Sequence, residues 1–402
     1  QRMWVHNVVA IGNAGGFVEP LEATAIMCLC LQSRWLADGL IDPLLGAWSD
    51  RGSSRKRLIA WSAPVLAFGM IALFSPQVRG EGPLLAWMGA ALAIVYLAYS
   101  LATINHNAWG AELSSDPDER TRITATREGL ALAGVVAASV LPGILGGGGG
   151  EAAGLPRFAW LFAAIVAACL AVTLAAPQAP RAAEPPRPVV AGVADTLSDG
   201  LFRRLLVVFA LNGIAAAIPA TLFLFYVADV LQAEGRQGWL LALYFVAGAA
   251  GLPMWTALAA RAGKTAAWAA SMVVAVIAFV WAALLGPGDV VAFAIVCVMS
   301  GAALGADLAL PPSILADVIG RRGTMRSTGA YFGVWTLATK LNLALAAGIA
   351  LPLLDALGYA PGSRDGDATL ALAIVYAAVP CLLKLGSLAA LFSFSAASRR
   401  AA

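Results

Sequence analysis

Apolar residues run along this chain in blocks longer than a buried core helix needs. Ten blocks, at roughly 58–79, 83–110, 128–148, 157–178, 203–231, 238–260, 266–285, 288–312, 328–352 and 366–394, predict membrane-spanning helices. About 20 mostly apolar residues cross the hydrocarbon layer of a bilayer. An eleventh block, at roughly 23–48, is less apolar, and the first twenty residues are a poor span. They hold His6, Asn13, Glu19 and four Gly or Pro residues between 12 and 20. The pattern predicts an all-α polytopic membrane protein of 11–12 helices.

The polar stretches organise these helices. PQAPRAAEPPRP, at 177–188, is dense in proline and charge and predicts an irregular linker over about 175–200. It divides the chain into an N-terminal bundle (1–176, first helix incomplete), a linker (177–200) and a C-terminal six-helix bundle (201–402). GILGGGGGEAAG, at 143–154, predicts a flexible loop. Lys and Arg fall unevenly: with the 49–57 loop placed inside, eighteen lie in inner loops and the tail, and four (Arg79, Arg157, Arg236, Arg364) in outer loops. The positive-inside rule therefore puts the linker and the C-terminus in the cytoplasm. A net charge of +3 spread over short connections does not read as a nucleic-acid surface, and the five cysteines, all in apolar runs, suggest buried thiols.

Charges inside the spans point to function, because the bilayer makes them expensive. Arg34, Asp38 and Asp42 are spaced i, i+4, i+8 and so share one helix face. Two carboxylates one turn apart can ligate Na⁺ or carry a proton, or they can belong to a static salt-bridge network. Asp50 and Arg51 open a basic cluster that suits a gate at a helix end. ALAARAGK, at 257–264, echoes that cluster without its acid. Thr103, Asn105, His106 and Asn107 put polar groups near the end of another helix. Glu112 and Arg127 are candidates for a gate pair, with Arg120 beside them. Asp307 and Asp317 flank a Pro311–Pro312 pair that predicts a broken helix. Lys340, well inside a span, needs a carboxylate partner or a cavity; Asp38 and Asp42 are candidate partners, either to sense solute or cation or in a permanent ion pair, and Lys384 is a weaker case of the same kind. No nucleophile–base pair, metal-ligand cluster or phosphate loop points to an enzyme.

Four motifs carry a family resemblance: RWLADGLIDPLLGAWSDR at 34–51, NAWGAELSSDPDERTRITATRE at 107–128, ADLALPPSILADVI at 306–319 and TGAYFGVWTLATKLNLALAAG at 328–348. In order and spacing they resemble the glycoside–pentoside–hexuronide:cation symporters, the melibiose-permease-like branch of the major facilitator superfamily. The resemblance implies two six-helix bundles around a central cavity and a sugar or glycoside coupled to Na⁺, H⁺ or Li⁺. It implies a cation site at Asp38 and Asp42 and a solute site at Asn107, Arg127 and Lys340, with Trp335 beside it. Thr103 stands where melibiose permease has an aspartate; a hydroxyl can coordinate Na⁺ but carries no charge.

The expected function is cation-coupled symport of a sugar-like solute by alternating access. The cation, at Asp38, Asp42 and Thr103, prepares the cavity, and Arg34, Asp50, Arg51, Glu112, Arg120 and Asp317 form a gating network. Alternatives are a carrier or exporter of an amphiphilic solute, and a non-transporting receptor or scaffold. No cofactor beyond the coupling ion is expected, and no nucleic acid. The expected setting is a bacterial-type inner membrane, with the protein in contact with lipid and acting as a monomer.

Overall fold

The computed structural model describes residues 40–51, 54–176, 188–321 and 327–400. Arg34 and Asp38 lie outside them. Helix α1 is described over 40–49. Then follow α2 (Arg55–Phe74), α3 (Glu81–Glu112), α4 (Pro117–Gly146), α5 (Gly150–Ala175), α6 (Val189–Ser198), α7 (Gly200–Phe225), α8 (Gln237–Ala262), α9 (Lys264–Ala282), α10 (Val290–Arg321), α11 (Thr328–Ala356) and α12 (Gly366–Arg400). Ten of the described helices are long and apolar enough to cross a membrane, and each overlaps one of the ten apolar blocks.

Burial follows the logic of a lipid solvent. Trp61, Phe68, Val172, Leu284, Val291, Leu382 and Phe392 face outward, whereas Asp42, Asn105, Asn212, Ser313, Lys384 and Ser387 are buried. Lipid rewards no exposed polar group, so polar side chains turn inward to find partners.

Local chemistry places several helix ends beyond the apolar blocks. Asp116 accepts the Asp118 N–H at 3.1 Å and Pro117 opens the first turn, so α4 starts well before residue 128. Asp199 caps α7, accepting from Leu201 N (2.9 Å) and Phe202 N (3.3 Å). Three sequence expectations are corrected. Residues 189–198 of the expected irregular linker are helical, as α6. The glycine run is no long loop: α4 continues to Gly146, and a 3₁₀ turn (Gly147–Gly149) leads straight into α5. Gly147 (φ 53°) and Gly150 (φ 70°) supply left-handed conformations that residues with a Cβ adopt at a cost. Finally, α10 passes unbroken through Pro311 and Pro312; packed neighbours hold a membrane helix together despite a missing N–H.

The helices form two bundles. Helix α2 packs on α3 and α5, and α4 on α5; beyond α6, α7 packs on α11 and α12, and α10 on α8 and α9. The bundles meet where α4 lies against α8 and α10 and where α3 lies against α11. Leu132 and Val135 from one side and Phe245, Leu252 and Ala309 from the other share a core.

At the end of the molecule that carries Arg55, Lys56 and Lys264, here called the basic end, α1 crosses α11 in backbone contact. A Cβ on Gly46 would lie 2.0 Å from the Gly329 carbonyl oxygen, and one on Gly333 would lie 2.4 Å from that of Asp42. Only glycine permits this approach. Gly46→Val is expected to destabilise the closed crossing by about 1–3 kcal/mol, the usual range for overpacking. A lowered melting temperature of the detergent-solubilised protein is the readout, and an unchanged one would refute the crossing.

Candidate functional site

Among the described residues, buried charges meet in two Asp–Lys pairs and in a cluster at the basic end. The first pair joins the two bundles. Lys340, about midway along α11, brings its Nζ 2.9 Å from Asp42 Oδ2 on α1 and donates to Ser100 Oγ on α3 at 2.8 Å. The Asp42 side chain has no solvent exposure and that of Lys340 keeps 16%. The expected lysine–carboxylate contact is therefore present at Asp42. A pair of this kind contributes little net stability, because desolvation offsets the attraction, but losing one partner strands a buried charge.

Around this pair α3 and α4 bring further predicted residues. Tyr99 bonds with Thr103 and lies within electrostatic reach of Glu128, Arg127 and Asp42. Thr103, Asn107 and Arg127 are half-buried. Arg127 pairs with its neighbour Glu128 (2.6 Å). Its expected pairing with Glu112 is corrected: Glu112 sits at the basic end and holds Arg55 at 2.9 Å, too far along α3 for Arg127 to share it. Trp335 stacks on Phe209, centroids 3.7 Å apart, within a packed core that the second bundle shares with α3. His106 meets Trp109 edge-on.

The basic end is closed by contacts that cross between the bundles. Asp50, just past α1, accepts the backbone N–H groups of Gly329 and Ala330, each at 2.9 Å, at the start of α11. A carboxylate on the free N–H groups of a helix start is favoured by hydrogen bonding and by the helix dipole. Burial raises the Asp50 carboxyl above its ordinary value, and Arg55 and the two amides offset part of that rise. Arg55 bonds to Asp50 (2.5 Å), Glu112 (2.9 Å) and Ser49 (2.6 Å). Arg51 is exposed in the turn. The second crossing joins α4 to α10: Arg120 donates to the Ala316 carbonyl (3.3 Å) and approaches Asp317 (3.4 Å), and Thr121 bonds with Ser313 (2.9 Å). Asp317 also binds Lys264 at 2.5 Å.

These contacts contain a repeat. Arg55 at the start of α2 binds Glu112 at the end of α3; Lys264 at the start of α9 binds Asp317 at the end of α10. The acid that ALAARAGK lacks is thus supplied by α10. Arg55 was not singled out from sequence, although its position beside Asp50 in a basic run was the available signal.

The second buried pair lies inside the second bundle. Lys384 (α12) donates to Asp307 Oδ2 (α10) and to Asn212 Oδ1 (α7), both at 2.8 Å. The indole N–H of Trp268 (α9) donates to Asp307 Oδ1 at 2.8 Å. Asp307 and Lys384 stood out as intramembrane charges; nothing in the sequence joined them to Asn212 and Trp268.

Residues 21–397 match the family described as MFS/sugar transport protein. No curated protein matches the sequence. Solved structures share the fold at low identity. The E. coli fucose:proton symporter FucP is 15% identical, with a TM-score of 0.69 over 90% of this chain and 91% of that one. A bacterial homologue of the iron transporter ferroportin, in an outward-facing state, is 16% identical, with a TM-score of 0.66 over 92% and 90%. The human organic anion transporter TETRAN is 16% identical, with a TM-score of 0.66 over 90% and 82%. The family match spans nearly the whole chain and agrees with its two packed bundles, so the chain belongs to the MFS/sugar transport protein family and is a polytopic secondary transporter.

Proposed function

We propose that this chain is a cation-coupled symporter of a sugar-like solute, in the glycoside–pentoside–hexuronide branch of the superfamily. The observation that carries the reading is the Asp42–Lys340 ion pair, which ties α1 to α11 across the bundles within the membrane. A cation arriving at Asp42, with Asp38 four residues earlier in the sequence and Thr103 on α3, competes with the Lys340 ammonium for the carboxylate. Released, Lys340 turns to the solute together with Arg127 and Asn107, and Trp335 supports that wall of the cavity. Na⁺ and H⁺ both suit this exchange, and Li⁺ suits an oxygen site of this kind. Similarity to a fucose:proton symporter supports coupling of this type.

The positive-inside distribution puts the basic end, and with it the C-terminus, in the cytoplasm of a bacterial-type inner membrane. The Asp50–α11 and Arg120–α10 contacts then close the inner side, and likeness to an outward-facing relative supports the same assignment. Transport requires these contacts to break as the two bundles, 1–176 and 201–402, rock about the central site. A monomer suffices, since both bundles come from one chain. Bound solute and cation must favour the inward-facing state over this one, because a ligand shifts an equilibrium only by its differential affinity.

Two outcomes test this reading. Right-side-out vesicles containing the protein should accumulate at least one member of a labelled sugar and glycoside panel when a Na⁺ or H⁺ gradient is imposed. In Asp42→Asn the gradient should no longer drive accumulation, and accumulation equal to wild type in Asp38→Asn/Asp42→Asn would sink the coupling step. For the gate, Ala330→Cys provides a reporter that is 1% exposed in the closed state. Adding Asp50→Ala should raise its labelling rate by a thiol reagent about tenfold, as expected from losing about 1.4 kcal/mol of charge-assisted hydrogen bonding. Equal labelling with and without Asp50 would remove Asp50 from the gate.

A further inference from the structure

The second bundle holds a cavity that the proposed solute site does not use. It lies among α7, α8, α9, α10 and α12 and leaves about 50 Å³ open to water-sized groups. Its walls are aromatic (Phe223, Tyr244, Phe279, Phe293 and Tyr376), and its polar groups include Asp307, Lys384 and Ser300, whose hydroxyl donates to the Val296 carbonyl and keeps its lone pairs to accept. Ala216, Ala220, Leu241 and Leu304 also line it, and each is partly exposed. Leu241, Tyr244 and Leu304 pack as well against the core shared with α4, so the cavity borders the packed seam between the bundles.

The chemistry of this cavity is unusual for a bundle core. A buried ion pair is weak support for stability, and apolar residues of the same volume would serve packing as well or better. Here each member of the pair has two partners: the Asp307 oxygens accept from Trp268 and Lys384, and Lys384 also donates to Asn212. The site is neutral overall and already paired, so it offers nothing to a lone charged ligand. It does offer further lone pairs on the carboxylate and a third ammonium N–H, next to ring faces. That combination suits a neutral hydroxyl group, which both donates and accepts, carried on a carbon whose C–H bonds pack against the rings.

Size narrows the ligand further. A water-sized group takes up about 10–15 Å³ on this measure, so the cavity admits only a few non-hydrogen atoms and excludes a sugar ring. We propose that this cavity is a specificity subsite that receives one hydroxylated arm of the transported solute, while the ring stays in the central cavity between the bundles. The inference rests on the proposed solute class and assigns Asp307, Lys384 and Ser300 as the groups that read the arm. By linking the solute to the second bundle while Arg127 and Asn107 belong to the first, the subsite makes the solute bridge both.

The test compares transport of each sugar in the panel with that of its singly deoxygenated analogues, first in wild type. Removing the hydroxyl that enters the cavity should cost about a hundredfold or more in kcat/KM, since a site built around a hydroxyl discriminates strongly against its absence. Ala220→Leu fills the cavity without touching the ion pair. It should lower kcat/KM for the full solute by at least about tenfold and leave the analogue lacking that hydroxyl nearly unaffected. Asp307→Asn/Lys384→Met keeps the site neutral and should flatten the discrimination between the two solutes. Gel filtration and thermal melting establish that each variant is folded. If folded Ala220→Leu transports the full solute as wild type does, or if the double variant keeps full discrimination, the subsite is overturned while symport stands. If wild type accumulates no member of the panel, the solute class falls and the subsite falls with it.

Discussion

A charge taken into the hydrocarbon layer must be neutralised by the protein itself, because no water is present to do it. That constraint organises the interior of this transporter. Lys340 is held by Asp42 and Ser100, and Lys384 by Asp307 and Asn212. Both lysines belong to the second bundle, yet one is neutralised across the bundle interface and the other within its own bundle. The first pair can persist only while α1 and α11 stay in register. The second survives any rigid-body movement of the bundles. The same chemistry thus yields a conformation-dependent link and a permanent polar wall.

The basic end follows a related rule under easier conditions, closer to water. Its two bundles are held by a carboxylate on helix N–H groups and by an arginine at a helix carbonyl and carboxylate. The Asp50 contacts are short and those of Arg120 longer, and each is small in net energy, since water can replace it when the end opens. The glycines at the crossing add close backbone packing without interlocking side chains. A gate of this kind closes with definite geometry and still opens at moderate cost. Apolar packing between the bundles lies where α4 meets α8 and α10 and where Ile104, Ala108 and Ala111 of α3 share a core with the second bundle.

The repeated pairs Arg55–Glu112 and Lys264–Asp317 give each bundle its own brace at this end, tying adjacent helices so that a bundle moves as a unit. The braces differ in what they add. Arg55 also steadies Asp50, whose contact crosses to α11, whereas Asp317 itself receives Arg120 from the other bundle. The two crossings therefore use opposite polarity: the first bundle presents an acid at one and a base at the other.

Much of this protein is legible in its sequence, because the properties involved are local. Ten apolar blocks became ten spans, since length and hydropathy are set by consecutive residues. The uneven spread of Lys and Arg, the resemblance carried by four motifs, and the need of Lys340 for a carboxylate or a cavity were likewise local. Helix ends were misplaced where capping by Asp116 or a glycine turn outweighed hydropathy, and Pro311–Pro312 did not break α10 because neighbouring helices hold it. Pairing was the part that sequence could not decide. Glu112 chose Arg55 over Arg127, Asp317 supplied the acid absent near Lys264, and Asp307 met Lys384, Asn212 and Trp268. Each choice depends on which helix faces meet and at what depth, and that is fixed by packing between segments far apart in the chain. The sequence by itself determined that these charges must be paired; only the tertiary structure decided with whom, because side chains meet through the geometry of helix contact and not through spacing along one helix.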